Sequence, residues 1–320
     1  MNKSLISLIF LVLLCCQTVV QSLLGRYSRG ILKENYSVPS TIVFNELLKF
    51  GICVVMLKFV YKKENLIQHI IHLIKTSLVA SVPGFIYFIQ NMLLYIILQN
   101  TQAAVYTVII QLKIFTTAIF SVLFLGRKVT WTQWRALTML VIGVILVEIS
   151  TSRHTDEEKT GKENNLLGVV LSLVMACCSG FSGVYMEKIL KNKTKDSEPL
   201  NIWERNVQLA FYGTIFALLS TFIFDGKKVI QDGFFDGWSF ITILLIIIQG
   251  VGGIFVALVM TYADNIVKGF SIGCAIVLTT ICSHFIFGTE IDMTFVIGAA
   301  FVIISISNYN DKFAKAENQS

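Results

Sequence analysis

Long apolar stretches separated by short polar segments dominate the chain. Each stretch holds roughly 20 mostly apolar residues, the length that an α-helix needs to cross the hydrocarbon layer of a membrane. The pattern therefore predicts ten transmembrane helices joined by short loops. The predicted helices are Leu5–Leu24, Val38–Tyr61, Lys75–Gln99, Ala103–Leu125, Gln133–Ile149, Leu166–Leu190, Trp203–Phe224, Trp238–Tyr262, Asn265–Phe287 and Met293–Tyr309.

The composition excludes the other broad classes of protein. Apolar residues of the AVILMFWYC set make up 55% of the 320 residues and charged residues only 14%, whereas an average soluble domain has roughly a quarter charged residues. The 24 Phe and 10 Tyr need burial, which excludes a disordered chain. A transmembrane β-barrel would show short alternating segments instead of long unbroken ones. The predicted fold class is an all-α polytopic membrane protein.

Lys and Arg are concentrated in one set of the predicted loops. By the positive-inside rule this set faces the cytosol, and an even number of spans then places both termini there. The bias explains the net charge of +6, so no nucleic-acid partner is predicted. The 4 His and 7 Cys form no metal-binding or nucleophile–base spacing. We therefore expect no enzyme activity, no metal site and no cofactor.

Ten spans divide into two groups of five. The predicted division is a first half at 1–151, a hydrophilic connector at 152–165, a second half at 166–310 and a cytosolic tail at 311–320. An odd number of spans per half makes the second half run inverted relative to the first. Transporters are often built from such inverted repeats, with the binding site between them near mid-membrane.

Polar residues inside the apolar stretches are the first candidates for function, because burying them in a membrane is costly. Lys113 lies near the middle of its stretch, so we predict that it faces a cavity and binds an anionic substrate. The alternative is an ion pair with Glu46. Tyr106 lies two helical turns earlier on the same face, where it could stack on a base or bond a phosphate.

A second group of polar side chains shares one face of the third predicted helix. Tyr87, Gln90 and Asn91 have helical spacing and offer hydroxyl and amide groups to a ligand or to neighbouring helices. Glu46 and Lys49 are three residues apart in the second predicted helix. Their role is left open between an ion pair and a contact to substrate.

Glycines and a second lysine mark the later helices. Gly252 and Gly253 let the backbone approach a ligand or a neighbouring helix closely. Lys268 shares a helix face with Asn265. It is either a loop cation that obeys the positive-inside rule or a second anion ligand.

Four blocks of sequence carry a resemblance to a known family. In order along the chain, the blocks are Gln90–Trp134, Gly180–Leu190, Trp203–Leu209 and Tyr262–Ser271. They resemble the nucleotide-sugar transporter family, within the drug/metabolite transporter superfamily, and are nearest the branch that holds the UDP-galactose, UDP-N-acetylglucosamine and CMP-sialic acid transporters. The resemblance implies ten helices in a five-plus-five inverted repeat, a Golgi membrane, and exchange of a cytosolic nucleotide sugar for a lumenal nucleoside monophosphate. The partners it implies are these two nucleotides and the lipid bilayer, and it leaves a homodimer open.

The resemblance also extends to individual positions to which the family assigns a role. Lys113 and Lys268 match lysines that hold the nucleotide phosphate, and Gly252-Gly253 match a glycine pair beside the cavity. The positions that match residues around the base and ribose are Tyr87, Asn91, Tyr106 and Asn206.

Departures from the CMP-sialic acid type favour a UDP-sugar. Ala210 stands where that type has Tyr, and Val256 and Ala257 stand where it has hydroxyl residues. Ile110 replaces the second Tyr of a family pattern, so one aromatic contact is expected to be missing. The predicted function is Golgi exchange of UDP-galactose or UDP-N-acetylglucosamine for UMP by alternating access. The alternatives are CMP-sialic acid/CMP exchange, or a receptor or scaffold that kept the fold.

Overall fold

The computed structural model describes residues 3–59, 65–153, 165–191 and 200–309. All the regular secondary structure within these ranges is helical, and a π-helical turn at Tyr27–Ile31 follows the first helix. The helices are α1 Lys3–Arg26, α2 Val38–Phe59, α3 Leu66–Lys75, α4 Leu78–Asn100, α5 Ala103–Ile110, α6 Lys113–Leu125, α7 Trp131–Arg153, α8 Asn165–Lys191, α9 Ile202–Phe224, α10 Gly226–Gln231, α11 Phe240–Tyr262, α12 Asn265–Phe287 and α13 Met293–Tyr309.

Eight helical segments in the described part of the chain are long and apolar enough to cross a membrane. The other two predicted spans are also helices. The helix α2 has 22 residues and carries Glu46, Lys49 and Lys58, and α13 is a shorter apolar helix of 17 residues. The regular secondary structure of the described residues is thus entirely helical, as predicted, and the apolar helices indicate a polytopic membrane protein. Ten spans in an inverted repeat remain a prediction.

The third predicted span begins later than its apolar pattern indicated. Lys75 is the last residue of α3, a separate helix that holds His69 and His72. The apolar residues of α3 recur at helical spacing, and Leu73 among them is fully buried. A short amphipathic helix of this kind satisfies its backbone hydrogen bonds locally while one face packs against the protein.

The fourth predicted span is two helices joined by a tight turn. The N–H groups of Gln111, Leu112 and Ile114 each bond the carbonyl oxygen three residues earlier, at 3.0 to 3.2 Å. Such i→i+3 bonds narrow a helix to 3₁₀ geometry, which is often found at functional hinges. The turn immediately precedes Lys113.

Contacts between helices divide the chain into two compact units. The first unit comprises Met1–Ile89 and Met186–Asp264. Within it α2 packs along α9, and α11 packs against both α1 and α2. One of its clusters of buried apolar residues joins α2, α3 and α9 through Cys53, Leu57, Leu73 and Val207.

The second unit comprises Gln90–Tyr185 and Asn265–Ser320. Its most extensive helix pair is α7 with α13, which cross where Gly143 faces Gly298. A Cβ added to either glycine would lie 2.8 Å from the carbonyl oxygen of the other. The main buried cluster joins α6, α7, α12 and α13 and includes Leu140, Val144 and Val302.

Each unit contains helices from both predicted halves of the sequence. The chain passes between units within α4 after Ile89, within α8 after Tyr185, and between α11 and α12 after Asp264. The predicted connector 152–165 lies mostly outside the described residues, and the tail 311–320 lies entirely outside them. The division into two five-helix repeats remains a prediction.

Candidate functional site

Two lysines that are far apart in the sequence line one pocket in the second unit. Lys113 lies on α6 and Lys268 on α12, and the pocket has a volume of about 110 Å³. The residues that complete its lining are Ile114, Thr117, Ser179, Asn265, Ile266, Gly269 and Ile272.

Lys113 owes its position to the tight turn between α5 and α6. It is the first residue of α6 and is half-buried. Within the described ranges, its ammonium group has no hydrogen bond or ion pair. Thr117 follows one turn later, so its hydroxyl lies on the same helix face.

Lys268 is placed by the start of α12. Only Ala263 and Asp264 separate α11 from α12, and Asn265 is the first residue of α12. Asn265 is buried and lies against Gly183 of α8, where an added Cβ would overlap its side-chain amide. Lys268 follows within the first turn of the helix.

Close packing between α6 and α8 completes the pocket wall. The Thr116 hydroxyl donates a hydrogen bond of 2.9 Å to the Ala176 carbonyl oxygen, and Gly180 leaves space for Thr116. Ser179 of α8 therefore lies beside the two lysine-bearing helices and lines the same pocket.

The lining suits an oxyanion. Two ammonium groups supply charge, while hydroxyl and amide groups supply additional hydrogen-bond donors. The positive end of the α12 dipole adds to the same effect, because the pocket is lined by the first residues of that helix.

Acidic residues near the lysines are arranged differently from the sequence-based prediction. Glu148 lies on α7 and interacts electrostatically with Lys113. Glu46, suggested as an alternative partner of Lys113, belongs to the first unit and forms an ion pair with Lys49 at 2.5 Å. The side chains of this pair are only 15% and 12% exposed.

Three further predicted site residues lie in the second unit but outside the pocket lining. Asn91 and Tyr106 are half-buried. Gln90 is 8% exposed, and its amide nitrogen has no hydrogen-bond partner among the described residues. Gln90 thus retains a donor that a ligand could satisfy.

The remaining predicted site residues lie in the first unit. Tyr87 is 47% exposed, whereas Asn206 is buried. The Asn206 amide donates a 2.8 Å hydrogen bond to the Ile202 carbonyl oxygen one turn earlier. This bond uses one of the two amide hydrogens of Asn206, and the amide oxygen takes no part in it.

The glycine pair of α11 accommodates side chains of neighbouring helices. A Cβ on Gly252 would overlap the side-chain amide of Gln17 on α1, and one on Gly253 would lie 3.1 Å from Cδ of Lys49 on α2. The Gln17 amide in turn donates a 3.1 Å hydrogen bond to the Ile248 carbonyl oxygen. These contacts show helix packing at the motif, and a role of the glycine pair beside the substrate stays a prediction.

Sequence reasoning did not include Thr117, Ser179, Asn265 and Glu148 among the site residues. The helical spacing of Thr117 from Lys113 and of Asn265 from Lys268 could have identified two of them. Packing between helices places Ser179 in the pocket lining and Glu148 near Lys113. The sequence carries no local signal for such packing.

Comparisons with known proteins agree with this architecture. The chain matches the family described as "Nucleotide-sugar transporter" over residues 2–310. It is 39% identical to the human UDP-N-acetylglucosamine transporter over 284 residues, which cover 85% of each chain. It is 36% identical to a Caenorhabditis elegans UDP-galactose/UDP-N-acetylglucosamine transporter, over 94% of this chain and 81% of that one.

Two further comparisons extend this result. A bovine UDP-galactose translocator is 36% identical over 294 residues, which cover 89% of this chain and 72% of the translocator. A protein of known crystal structure has a TM-score of 0.65, with 97% of this chain and 98% of that one covered at 13% identity. At that identity the structural match shows a shared fold alone.

The resemblance that the four sequence blocks indicated is thus confirmed. The family and the relatives consist of transporters, which also confirms the expectation that the chain is not an enzyme. The chain belongs to the nucleotide-sugar transporter family.

Proposed function

We propose that the protein exchanges a cytosolic UDP-sugar, UDP-N-acetylglucosamine or UDP-galactose, for lumenal UMP across the Golgi membrane. The single observation that carries this proposal is the pocket shared by Lys113 and Lys268. The two cations can neutralise the phosphate charge that must cross a low-dielectric layer.

The size of the pocket favours a phosphate subsite. Its volume of about 110 Å³ is below the roughly 300–1,000 Å³ of pockets that bury a whole drug-sized ligand. In this proposal, the pocket holds phosphate oxygens. The base, ribose and sugar contact residues outside this lining, for which Asn91 and Tyr106 of the second unit are the candidates. Contacts from Tyr87 and Asn206 stay predictions from the sequence.

The choice of a uridine nucleotide is supported by the relatives. The human, Caenorhabditis elegans and bovine proteins are named for UDP-N-acetylglucosamine, UDP-galactose or both. Ala210, Val256 and Ala257 depart from the CMP-sialic acid pattern and favour the same choice.

Exchange, rather than one-way transport, follows from charge. Charged lysine side chains in the pocket of an empty carrier raise the free-energy cost of its reorientation through the membrane. A bound nucleotide removes this penalty in both directions, so transport requires cargo on each side. Alternating access with both termini in the cytosol belongs to the same proposal.

A thermal-stability panel of UMP, CMP and GMP with the purified protein tests the nucleotide class. We expect UMP to raise the unfolding temperature most, because ligand bound only by the folded state stabilises it by mass action. A larger effect of CMP would instead support the CMP-sialic acid exchanger. No effect of any nucleotide or nucleotide sugar would remove the carrier proposal and favour a receptor or scaffold.

The lysine pocket is tested by Lys113→Ala, with Lys128→Ala as the matched control. Lys128 is exposed and lies just beyond the end of the same helix, α6. We expect Lys113→Ala to abolish the stabilisation by UMP and Lys128→Ala to retain it. If stabilisation survives in Lys113→Ala, the phosphate site lies elsewhere.

Exchange is tested with proteoliposomes that contain the wild-type protein. Uptake of radiolabelled UDP-N-acetylglucosamine or UDP-galactose is measured with and without UMP inside the vesicles. We expect internal UMP to accelerate uptake strongly, and vesicles loaded with GMP serve as the control. Equal rates with and without internal UMP would contradict the exchange mechanism.

A further inference from the structure

Lys191, the last residue of α8, links this helix to the junction between α11 and α12. Its ammonium group donates one hydrogen bond of 2.7 Å to the Glu187 carboxylate and another of 2.5 Å to the Ala263 carbonyl oxygen. Glu187 is fully buried. We call Glu187, Lys191 and the Ala263 carbonyl group the α8 clasp.

An ordinary helical ion pair does not explain the clasp. Glu187 and Lys191 have i,i+4 spacing, which brings opposite charges together on many helices. The second bond is different, because the Ala263 carbonyl group belongs to a segment distant in sequence. Ala263 follows the last residue of α11 with non-helical backbone angles, and only Asp264 separates it from α12.

The same junction is held against α8 at a second point. Gly183 provides the space in which the Asn265 side chain lies. Gly183 and Lys191 are about two helical turns apart on α8. The two residues adjoining Asp264 in the chain, Ala263 and Asn265, are therefore each fixed by a contact to this one helix.

The junction determines where the pocket residues of α12 lie. Asn265 starts this helix and Lys268 follows within its first turn, and both line the lysine pocket. Binding sites require their groups to be held within about 0.5 Å of the productive geometry. Contacts that hold the junction against α8 therefore restrict how far the first turn of α12 can move.

We propose that Glu187 and Lys191 are positioning residues for anion binding. The clasp fixes the end of α11, and through it the first turn of α12 with Asn265 and Lys268. This inference rests on the proposed function in one respect only, namely that the lysine pocket binds phosphate. The positioning of the junction itself does not depend on the ligand.

The variants must separate positioning from folding. Lys191→Met alone would leave the Glu187 carboxylate buried without this counter-ion, which destabilises proteins strongly. The double variant Glu187→Gln/Lys191→Met removes both charges and keeps similar side-chain volumes. Lys191→Arg preserves a cationic donor. Lys188→Met is the matched control, because Lys188 is an exposed lysine on the same helix.

Two measurements are made on each full-length variant. Hydrogen exchange of the amides in 263–269 is followed in the ligand-free protein, and UMP affinity is obtained from the concentration dependence of the thermal shift. We expect faster exchange and about tenfold weaker UMP binding in the double variant, as for the loss of one hydrogen bond to a charged group. Lys191→Arg should recover most of both properties, and Lys188→Met should match the wild type.

The outcomes distinguish the two proposals. Unchanged hydrogen exchange in the double variant would overturn the clasp, whatever the result with UMP. Faster exchange with unchanged UMP affinity would show that the clasp holds the junction without positioning the site, and would overturn the positioning role. A wild-type protein that binds no nucleotide would overturn the proposed function, while the hydrogen-exchange result would still decide the structural part of the clasp.

Discussion

Lys113 and Lys268 line one pocket, although α6 and α12 are separated by five intervening helices in the chain. Both lie within the first turn of their helices. Two cations in one partly buried pocket repel each other, because charges in a low-dielectric environment interact strongly. In the proposed function, a phosphate group bound in this pocket offsets the repulsion between the two ammonium groups.

The contribution of phosphate is tested with Lys268→Ala and two ligands. In the wild type we expect UMP to bind more tightly than uridine by roughly 10- to 100-fold, since charge-assisted hydrogen bonds contribute about 1.5–3 kcal/mol. In Lys268→Ala this advantage should largely disappear, while uridine binding is retained. The measurement is a thermal-shift titration with each ligand. An undiminished advantage of UMP would show that Lys268 does not contact phosphate.

Close packing of α7 on α13 predicts the effect of enlarging Gly143. A Cβ at this position would lie 2.8 Å from the Gly298 carbonyl oxygen, so Gly143→Leu must separate the helices. We expect a loss of about 1–3 kcal/mol in the free energy of unfolding, as for other overpacked cores. Gly51→Ala is the control, because a Cβ there meets no atom within 4 Å. Thermal unfolding in detergent compares the two variants, and equal stability would contradict the observed crossing.

The carboxyl group of Glu34 is expected to make the stability of the folded protein depend on pH. Burial pushes its pKa up, but hydrogen bonds from the hydroxyl groups of Ser239, Ser28 and Thr242 outweigh burial and lower the pKa. A carboxyl group whose pKa is lowered by folding stabilises the protein above its unfolded pKa, and this contribution is lost as the pH falls through the folded pKa. The wild type should therefore be more stable than Glu34→Gln at pH 7.

The difference between the two proteins should shrink below about pH 4, near the ordinary pKa of Glu. Thermal unfolding of both proteins is measured between pH 3 and pH 7. A stability difference that is constant over this range would show that the carboxylate charge is not involved. The Ser28 hydroxyl donates to Glu34 at 2.6 Å, so Ser28→Ala should reduce the same pH-dependent difference.

Glu204 joins the start of α9 to α3. One carboxylate oxygen accepts a 2.8 Å hydrogen bond from the Asn201 backbone N–H, completing a capping box, and the other lies 2.8 Å from Nε2 of His69. We expect Glu204→Ala to lower the free energy of unfolding by about 1–2 kcal/mol, typical of a lost helix cap. Glu204→Gln keeps an acceptor for Asn201 and should lose less. Equal losses would mean that the His69 contact, rather than the cap, dominates.

The helices themselves could be predicted from the sequence, because each depends on a local property. A run of roughly 20 apolar residues must satisfy its backbone hydrogen bonds internally in a membrane, and only a helix does so within one segment. The bounds of Asn265–Phe287 and Met293–Tyr309 were predicted without error. The tight turn before Lys113 was not predicted, because no Gly or Pro marks it.

Glu46 and Lys49 show what the sequence left open. Their spacing allowed an ion pair or a contact to substrate, and the structure shows the ion pair, with Gly213 beside Glu46 and Gly253 beside Lys49. Helical spacing alone brought the two charges together. The helices that surround this ion pair are determined by the packing of α2 on α9 and α11.

The sequence by itself determined the class of protein and the approximate helices, and it singled out Lys113 as a candidate, because hydrophobicity and the cost of a buried charge act locally. Only the tertiary structure decided that Lys268 shares a pocket with Lys113, that Ser179 and Asn265 line it, and that Lys191 holds the α11–α12 junction. These relationships join residues from different helices. They arise from packing between apolar surfaces, which many different sequences can satisfy, so no local pattern in the chain specifies them.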